Sequence, residues 1–302
     1  MTYSVTGWCS RTKQVGFAMA SFDVWFWPGA VVGSTVQAGA GAVTCQANTL
    51  PGFGENVMAR LKAGKPAAEA LDDALQEEGN REHFQVCVVD VGGRAAGFTG
   101  SSPLEWRGHL SGEHCSAAGN TLTGPQVVEA MVSTFQRERE MALPERLLTS
   151  LEKGYAAGGD RRGTRMTTLW LADGDLPLGG FYLRIQEHSE PLAELRRLLA
   201  VARREMDFTA TALRAAEIVL PLVDEQDTLR RLGALTTLEA VDELRRELAR
   251  EKAPGEALQL LERLAWQLRE VRPDMGTVAF SLTANSLRAL LPSWKETLHG
   301  DV

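Results

Sequence analysis

Helical patterns in this chain come in pairs. Two amphipathic stretches lie between the first group of strand-like segments and the second, and two more lie between the second group and the third. A doubly wound parallel sheet needs one crossover helix per strand, so paired helices fit it poorly. Hairpins alternating with helix pairs suit two packed antiparallel sheets with helices against both outer faces. The fold class expected is α+β.

The segments themselves are short and well punctuated. Tyr3 to Cys9 and Gln14 to Ser21 are apolar-rich and separated by the polar turn Ser10-Arg11-Thr12-Lys13, which reads as a hairpin. Ala30 to Val36 and Ala40 to Gln46 are further strand candidates. Helices follow at Gly54 to Ala63 and from Pro66, with Ala67, Ala70, Leu71, Ala74 and Leu75 as the apolar stripe of the second. Phe84 to Asp90 and Arg94 to Thr99 flank the turn Val91-Gly92-Gly93, and a short strand is expected over His114 to Ala118. Pro125 to Glu138 and Pro144 to Ala157 each open on proline, and Gly158-Gly159 stops the second. Met166 to Ala172 and Phe181 to Gln186 complete the strands.

The pattern changes after Glu190-Pro191. Leu192, Leu195, Leu198, Leu199 and Ala202 form a helical stripe, and similar stripes recur over Leu238 to Arg250, Gly255 to Val271 and Ala284 to Leu291. The expected division is a domain over 1–189 and a helical extension over 190–302. Packing among helices or an interface between copies of the chain would bury those stripes. With Trp25 and Trp27 as interface anchors, they make a homo-oligomer the expected assembly.

Apolar residues make up 44% of the 302 residues, enough for a sizeable core, and the net charge is −7. That balance argues against electrostatic attraction to nucleic acid or to anionic membranes. No apolar run approaches the roughly 18 residues that suggest a membrane span. No basic region precedes an apolar one at the start, so a cytoplasmic protein is expected. Cys9, Cys45, Cys87 and Cys115 show no C-x-x-C spacing, and His109 and His114 have no further partner at ligand spacing. The expectation is no metal, and no cofactor either, since no glycine-rich phosphate loop follows a strand.

Six short segments carry a resemblance. They are Thr2-Tyr3-Ser4-Val5, Val15-Gly16-Phe17-Ala18-Met19-Ala20-Ser21, Arg81-Glu82-His83-Phe84-Gln85-Val86, Phe98-Thr99-Gly100, Ala118-Gly119-Asn120 and Ala157-Gly158-Gly159-Asp160-Arg161-Arg162-Gly163. In this order they resemble a bacterial family, domain of unknown function 1028, assigned to the N-terminal-nucleophile (Ntn) hydrolase superfamily. The resemblance covers residues 2 to about 200 and implies a four-layer αββα sandwich. It depends on short motifs, and two of the family's expected stretches differ. Arg165-Met166 stands where Gln-Ser is expected, and Leu50-Pro51-Gly52-Phe53-Gly54 where an Asn-Pro-x-Tyr-Gly stretch is expected.

Thr2 is the candidate nucleophile that the resemblance implies. Removal of Met1 would give it a free α-amine with an ordinary pKa of about 7.7–8.0, able to take the proton of its own hydroxyl. Ser21 ends the partner of the first strand and is a candidate donor to that amine or to a substrate oxygen. His83 is the histidine inside a resembling motif and a proton carrier near neutrality. Glu82 beside it is a candidate contact with substrate, and strand alternation turns adjacent side chains to opposite faces. Asn120 is a candidate oxyanion donor, or a residue that tolerates a left-handed turn. In the Gly158 to Gly163 loop, Arg161 or Arg162 would grip a substrate carboxylate with Asp160 orienting it; the plainer alternative is an internal Asp–Arg pair in a turn. The function expected is an amidohydrolase acting on a C–N bond of a small carboxylate-bearing metabolite. The alternative is a non-catalytic protein that keeps the sandwich to bind a small molecule or to scaffold.

Overall fold

The computed structural model describes residues 2–24, 33–174, 179–219, 238–250, 254–267 and 269. These fall into two compact units that divide between Leu199 and Ala200. Trp25, Trp27 and the segment Ala284 to Leu291 lie outside the described residues, as do parts of Ala30 to Val36 and of Gly255 to Val271.

The first unit opens with β1 (Thr2–Trp8) and β2 (Val15–Ser21). They form the expected hairpin, with Thr2 opposite Ser21 and Trp8 opposite Val15. β3 (Thr35–Gln37) and β4 (Gly41–Ala47) follow, then α1 (Phe53–Lys62) and α2 (Ala67–Gln76). Next come β5 (Phe84–Asp90), β6 (Ala95–Thr99), β7 (Gly108–Gly112) and β8 (Cys115–Gly119). The second helix pair is α3 (Gln126–Arg137) and α4 (Leu143–Ala156), followed by β9 (Met166–Ala172) and β10 (Gly180–Ile185). The strands make a six-stranded sheet in the order β10-β9-β2-β1-β8-β7 and a four-stranded sheet in the order β3-β4-β5-β6. Every pairing within the two sheets is antiparallel.

Strand alternation explains what each face buries. In β1, Tyr3 and Val5 enter an apolar cluster with Val127, Met131 and Phe135 of α3 and Leu147, Leu148 and Leu151 of α4. Ser4 and Thr6, on the opposite face, reach the other sheet: the Ser4 hydroxyl donates to Gln46 Oε1 at 2.9 Å, and Thr6 meets Thr44. Every residue of β1 is buried as a result. The four-stranded sheet buries Val43, Cys45, Val86 and Val88 against Val57, Leu61, Ala70 and Leu71 of α1 and α2. The space between the sheets is apolar around Trp8, Val15, Ala42 and Val89, and polar toward the start of β1.

Close approach demands glycine where α3 and α4 cross β1. A Cβ on Gly7 would lie 2.4 Å from the Phe135 ring. At the other sheet, the helix α2 borrows its cap from a strand. Pro66 occupies the N-cap position without a capping side chain, and the Ala67 N–H donates to Asp90 Oδ2 at 3.0 Å. A carboxylate there satisfies an orphan donor and meets the positive end of the helix dipole.

α5 (Pro191–Val219) begins in the first unit, where Leu192, Leu195 and Leu199 join the cluster on the six-stranded sheet. The second unit contains α6 (Leu238–Arg250) and α7 (Gly255–Trp266). These bury Val241, Leu244 and Leu248, and Ala257, Leu261 and Leu264, respectively. Asp207 accepts hydrogen bonds from Arg263 at 2.7 Å and from Gln267 at 2.6 Å. No helix among the described residues is long and apolar enough to cross a membrane. All four cysteines are buried and unpaired.

Candidate functional site

The start of β1 gathers hydroxyl, amide and charged groups. Thr2 is 8% exposed, and its hydroxyl donates to Ser21 Oγ at 3.2 Å. Ser21 Oγ also accepts the Asp23 N–H at 3.1 Å, and the Ser21 carbonyl accepts the Arg165 N–H at 2.9 Å. The Thr2 carbonyl accepts the Asn120 N–H at 3.1 Å. Register does this work: Thr2 pairs with Ser21 on one side, and Tyr3 pairs with Gly119 on the other, so Asn120 follows directly beside Thr2.

Helix termination delivers the acidic and basic groups. At the end of α4 the Gly158 N–H bonds the Tyr155 carbonyl and the Gly159 N–H bonds the Gly154 carbonyl, at 3.0 and 3.1 Å. That pair of bonds is a Schellman cap, and the positive φ of Gly158 (121°) and Gly159 (51°) is the conformation glycine adopts without a Cβ clash. The chain then pairs Asp160 with Leu122. The Arg161 N–H donates to the Thr121 carbonyl at 3.0 Å. Thr121 itself holds a φ of 59°, uncommon for a β-branched residue.

Asp160 and Arg162 close on each other. The Asp160 carboxyl is fully buried and accepts from Arg162 Nε at 3.1 Å, from Arg162 Nη2 at 2.8 Å and from the Arg162 backbone N–H at 2.9 Å. Arg162 also pairs with Asp23 at 3.2 Å and stacks over the Phe22 ring at 4.7 Å. Hydrogen bonding to Asp160 is the main force holding the Arg162 pKa above its ordinary value, and Asp23 adds to it against the opposing effect of burial. The Arg161 guanidinium goes elsewhere, to the Glu105 carbonyl.

Asn120 is fully buried in an amide chain between the sheets. Its Nδ2 donates to Gln85 Oε1 at 2.7 Å, where Gln46 Nε2 also donates at 2.6 Å. Gln85 Nε2 in turn donates to the Gly119 carbonyl at 2.8 Å. Asn120 Oδ1 is buried without a hydrogen-bond partner among the described residues.

The expected site residues therefore divide. Thr2, Ser21, Asn120, Asp160 and Arg162 are linked through direct bonds and through Asp23. Glu82 and His83 stand on one exposed 3₁₀ turn (Arg81–His83) that leads into β5. Glu82 Oε2 accepts from the Ser101 hydroxyl at 2.8 Å and from the Ser101 N–H at 3.1 Å, which holds its carboxyl below the usual range. The His83 carbonyl accepts the Asn48 N–H at 3.2 Å. Sequence reasoning missed Asp23, Gln46 and Gln85. The last two carried a signal: a glutamine inside a strand covered on both faces must find a buried partner. Among the described residues no group of three or more His, Cys, Asp and Glu side chains could hold a metal ion.

A model of a family of unknown function, DUF1028, matches residues 2–195, which include every residue of this cluster. The chain belongs to the DUF1028 family. A crystal structure of a DUF1028 protein from Silicibacter pomeroyi is 26% identical to it, with a TM-score of 0.61 over 67% of this chain and 85% of that one. Anbu (ancestral beta-subunit) from Yersinia bercovieri is 11% identical, with a TM-score of 0.31 over 66% of this chain and 94% of its own. Anbu from Hyphomicrobium sp. strain MC1 is 13% identical, with a TM-score of 0.32 over 67% and 95%. No curated protein matches this DUF1028 chain.

Proposed function

We propose that this DUF1028 protein is an Ntn-type amidohydrolase built on a four-layer αββα sandwich, with Thr2 as its nucleophile once Met1 is removed. The supporting observation is the Thr2 hydroxyl, placed at the start of a fully buried strand and bonded to Ser21 Oγ at 3.2 Å. Thr2 shares a strand face with Ser4 and Thr6, so the hydroxyl belongs to the polar space between the sheets.

In this reading the Thr2 α-amine takes the hydroxyl proton as Oγ1 attacks the carbonyl carbon of an amide. The tetrahedral oxyanion is stabilised by N–H donors, and Asn120, whose backbone N–H bonds the Thr2 carbonyl, is the residue assigned to that role. The protonated α-amine returns its proton to the leaving nitrogen as the C–N bond breaks. Water then hydrolyses the ester on Thr2, with the α-amine as base, and releases the carboxylic acid. Ser21 orients the hydroxyl. Arg162 acts through position, because its guanidinium is engaged by Asp160 and Asp23. Arg161 is the arginine assigned to a substrate carboxylate: it is exposed, and it would give up its bond to the Glu105 carbonyl to take that role.

A screen of small amides and cyclic amides bearing a carboxylate tests this with three proteins. Wild type and Thr2→Ser are expected to turn over the same compound, and Thr2→Ala to lose turnover while keeping its circular dichroism. Activity retained in Thr2→Ala removes Thr2 from the chemistry. A second reading, a non-catalytic binder, is favoured by the engagement of the Arg162 and Asn120 side chains with other parts of the protein. Ligand-dependent thermal stabilisation without turnover would favour that reading.

A further inference from the structure

At the opposite end of β1 from Thr2, a buried arginine stands without a counter-ion among the described residues. Arg146, in the first turns of α4, is only 5% exposed. Its Nε donates to the Phe135 carbonyl in the last turn of α3, and its guanidinium lies over the Phe135 ring at 3.7 Å. Among the described residues Nη1 and Nη2 make no hydrogen bond, and no carboxylate pairs with the side chain. Capping α3 explains one of five donors. It leaves the four Nη donors without a protein partner, on a side chain that lines a cavity, whereas charges held mostly out of bulk water are ordinarily paired.

Arg146 lines a cavity of about 130 Å³ beside Cys9, where β1 turns toward β2. One water needs about 10–15 Å³ of such space, so the cavity takes a small ion and several waters. Arg139 supplies a second guanidinium at the cavity, and Ser10 and Gln136 supply a hydroxyl and an amide. The Glu113 carboxylate also lines it. It is 63% exposed and leans toward His114 at 3.7 Å and Arg139 at 4.0 Å, and it makes no ion pair with Arg146. Arg11 nearby is engaged by Glu140 at 3.1 Å.

We propose that this cavity is a second binding site, taking a tetrahedral oxyanion of the phosphate class, with Arg146 as its buried anchor and Arg139 as its rim contact. Two guanidinium groups suit a dianion, and each offers the planar fork that phosphate oxygens accept. The ion would be free phosphate or the phosphate end of a monoester. Burial holds the Arg146 pKa below its usual value, and a bound anion would relieve that cost.

Isothermal titration of the full-length protein at constant ionic strength tests the site, with inorganic phosphate and glycerol 3-phosphate as probes and chloride as the control. Saturable binding of phosphate, absent in Arg146→Met, is expected. Arg139→Gln, on the exposed rim and safe for folding, is expected to weaken binding about tenfold, the order for one charge-assisted hydrogen bond. Glycerol 3-phosphate binding at least as tightly as phosphate identifies a monoester as the ligand, and binding of phosphate alone identifies the free ion. No binding above the chloride control, or an affinity unchanged in both variants, overturns the proposal.

Discussion

Asp160 holds its surroundings in place. Its carboxylate is fully buried and ties the Arg162 side chain and backbone into one turn. Asp160→Ala would remove the buried carboxylate from the Arg162 guanidinium, and is expected to cost about 3 kcal/mol in chemical denaturation, near the low end for breaking a buried pair because Arg162 remains partly exposed. Glu82 offers a pH test. The hydroxyl and N–H of Ser101 hold its carboxyl below the ordinary range. Stability from that bond is present above the unfolded-chain pKa and is lost as pH falls through the folded one. Ser101→Ala is expected to move the Glu82 pKa up toward its ordinary value in an NMR titration; no movement would show that Ser101 does not set it. At this scale the sequence was informative where neighbours along the chain or across one hairpin decide the contact. Thr2 and Ser21 follow from the β1–β2 register, and the Asp160–Arg162 turn from two residues of spacing. The amide chain from Gln46 through Gln85 to Asn120 joins the two sheets, and no local pattern specifies which buried amides will meet.

The elements were legible because their periodicities are clean. Hairpins, helix pairs and the glycine stop after α4 follow from alternation, proline and Gly158-Gly159. β7 was missed: Gly108–Gly112 is glycine at both ends and largely exposed, so it has no apolar alternation, and it becomes a strand by pairing with β8. The cap of α2 was also hidden, since Asp90 lies 23 residues from Ala67 and reaches it only in the folded unit. The seat of α3 on β1 gives a prediction at this scale. Gly7→Ala would push a methyl into the Phe135 ring and Leu147, and is expected to destabilise the protein by about 1–3 kcal/mol in thermal or denaturant unfolding. An unchanged midpoint would mean that α3 and α4 yield easily, contrary to the close packing at that strand.

The whole chain joins a family domain to a helical unit with a core of its own. The DUF1028 match ends at residue 195, and the first unit extends to Leu199, taking Leu192, Leu195 and Leu199 into its core. A chain ending at Leu199 is expected to fold, whereas one ending at Ser189 should be less stable by several kcal/mol, because each buried leucine contributes about 2–5 kcal/mol. Equal denaturation midpoints for the two would show that these leucines add little. The proposed chemistry depends on a more basic condition, a free amine on Thr2. Intact-mass measurement of protein purified without an N-terminal tag tests it most directly. The expected mass is that of the chain less one methionine, which exposes the Thr2 amine beside Ser21. A mass that still includes Met1 contradicts a Thr2 nucleophile.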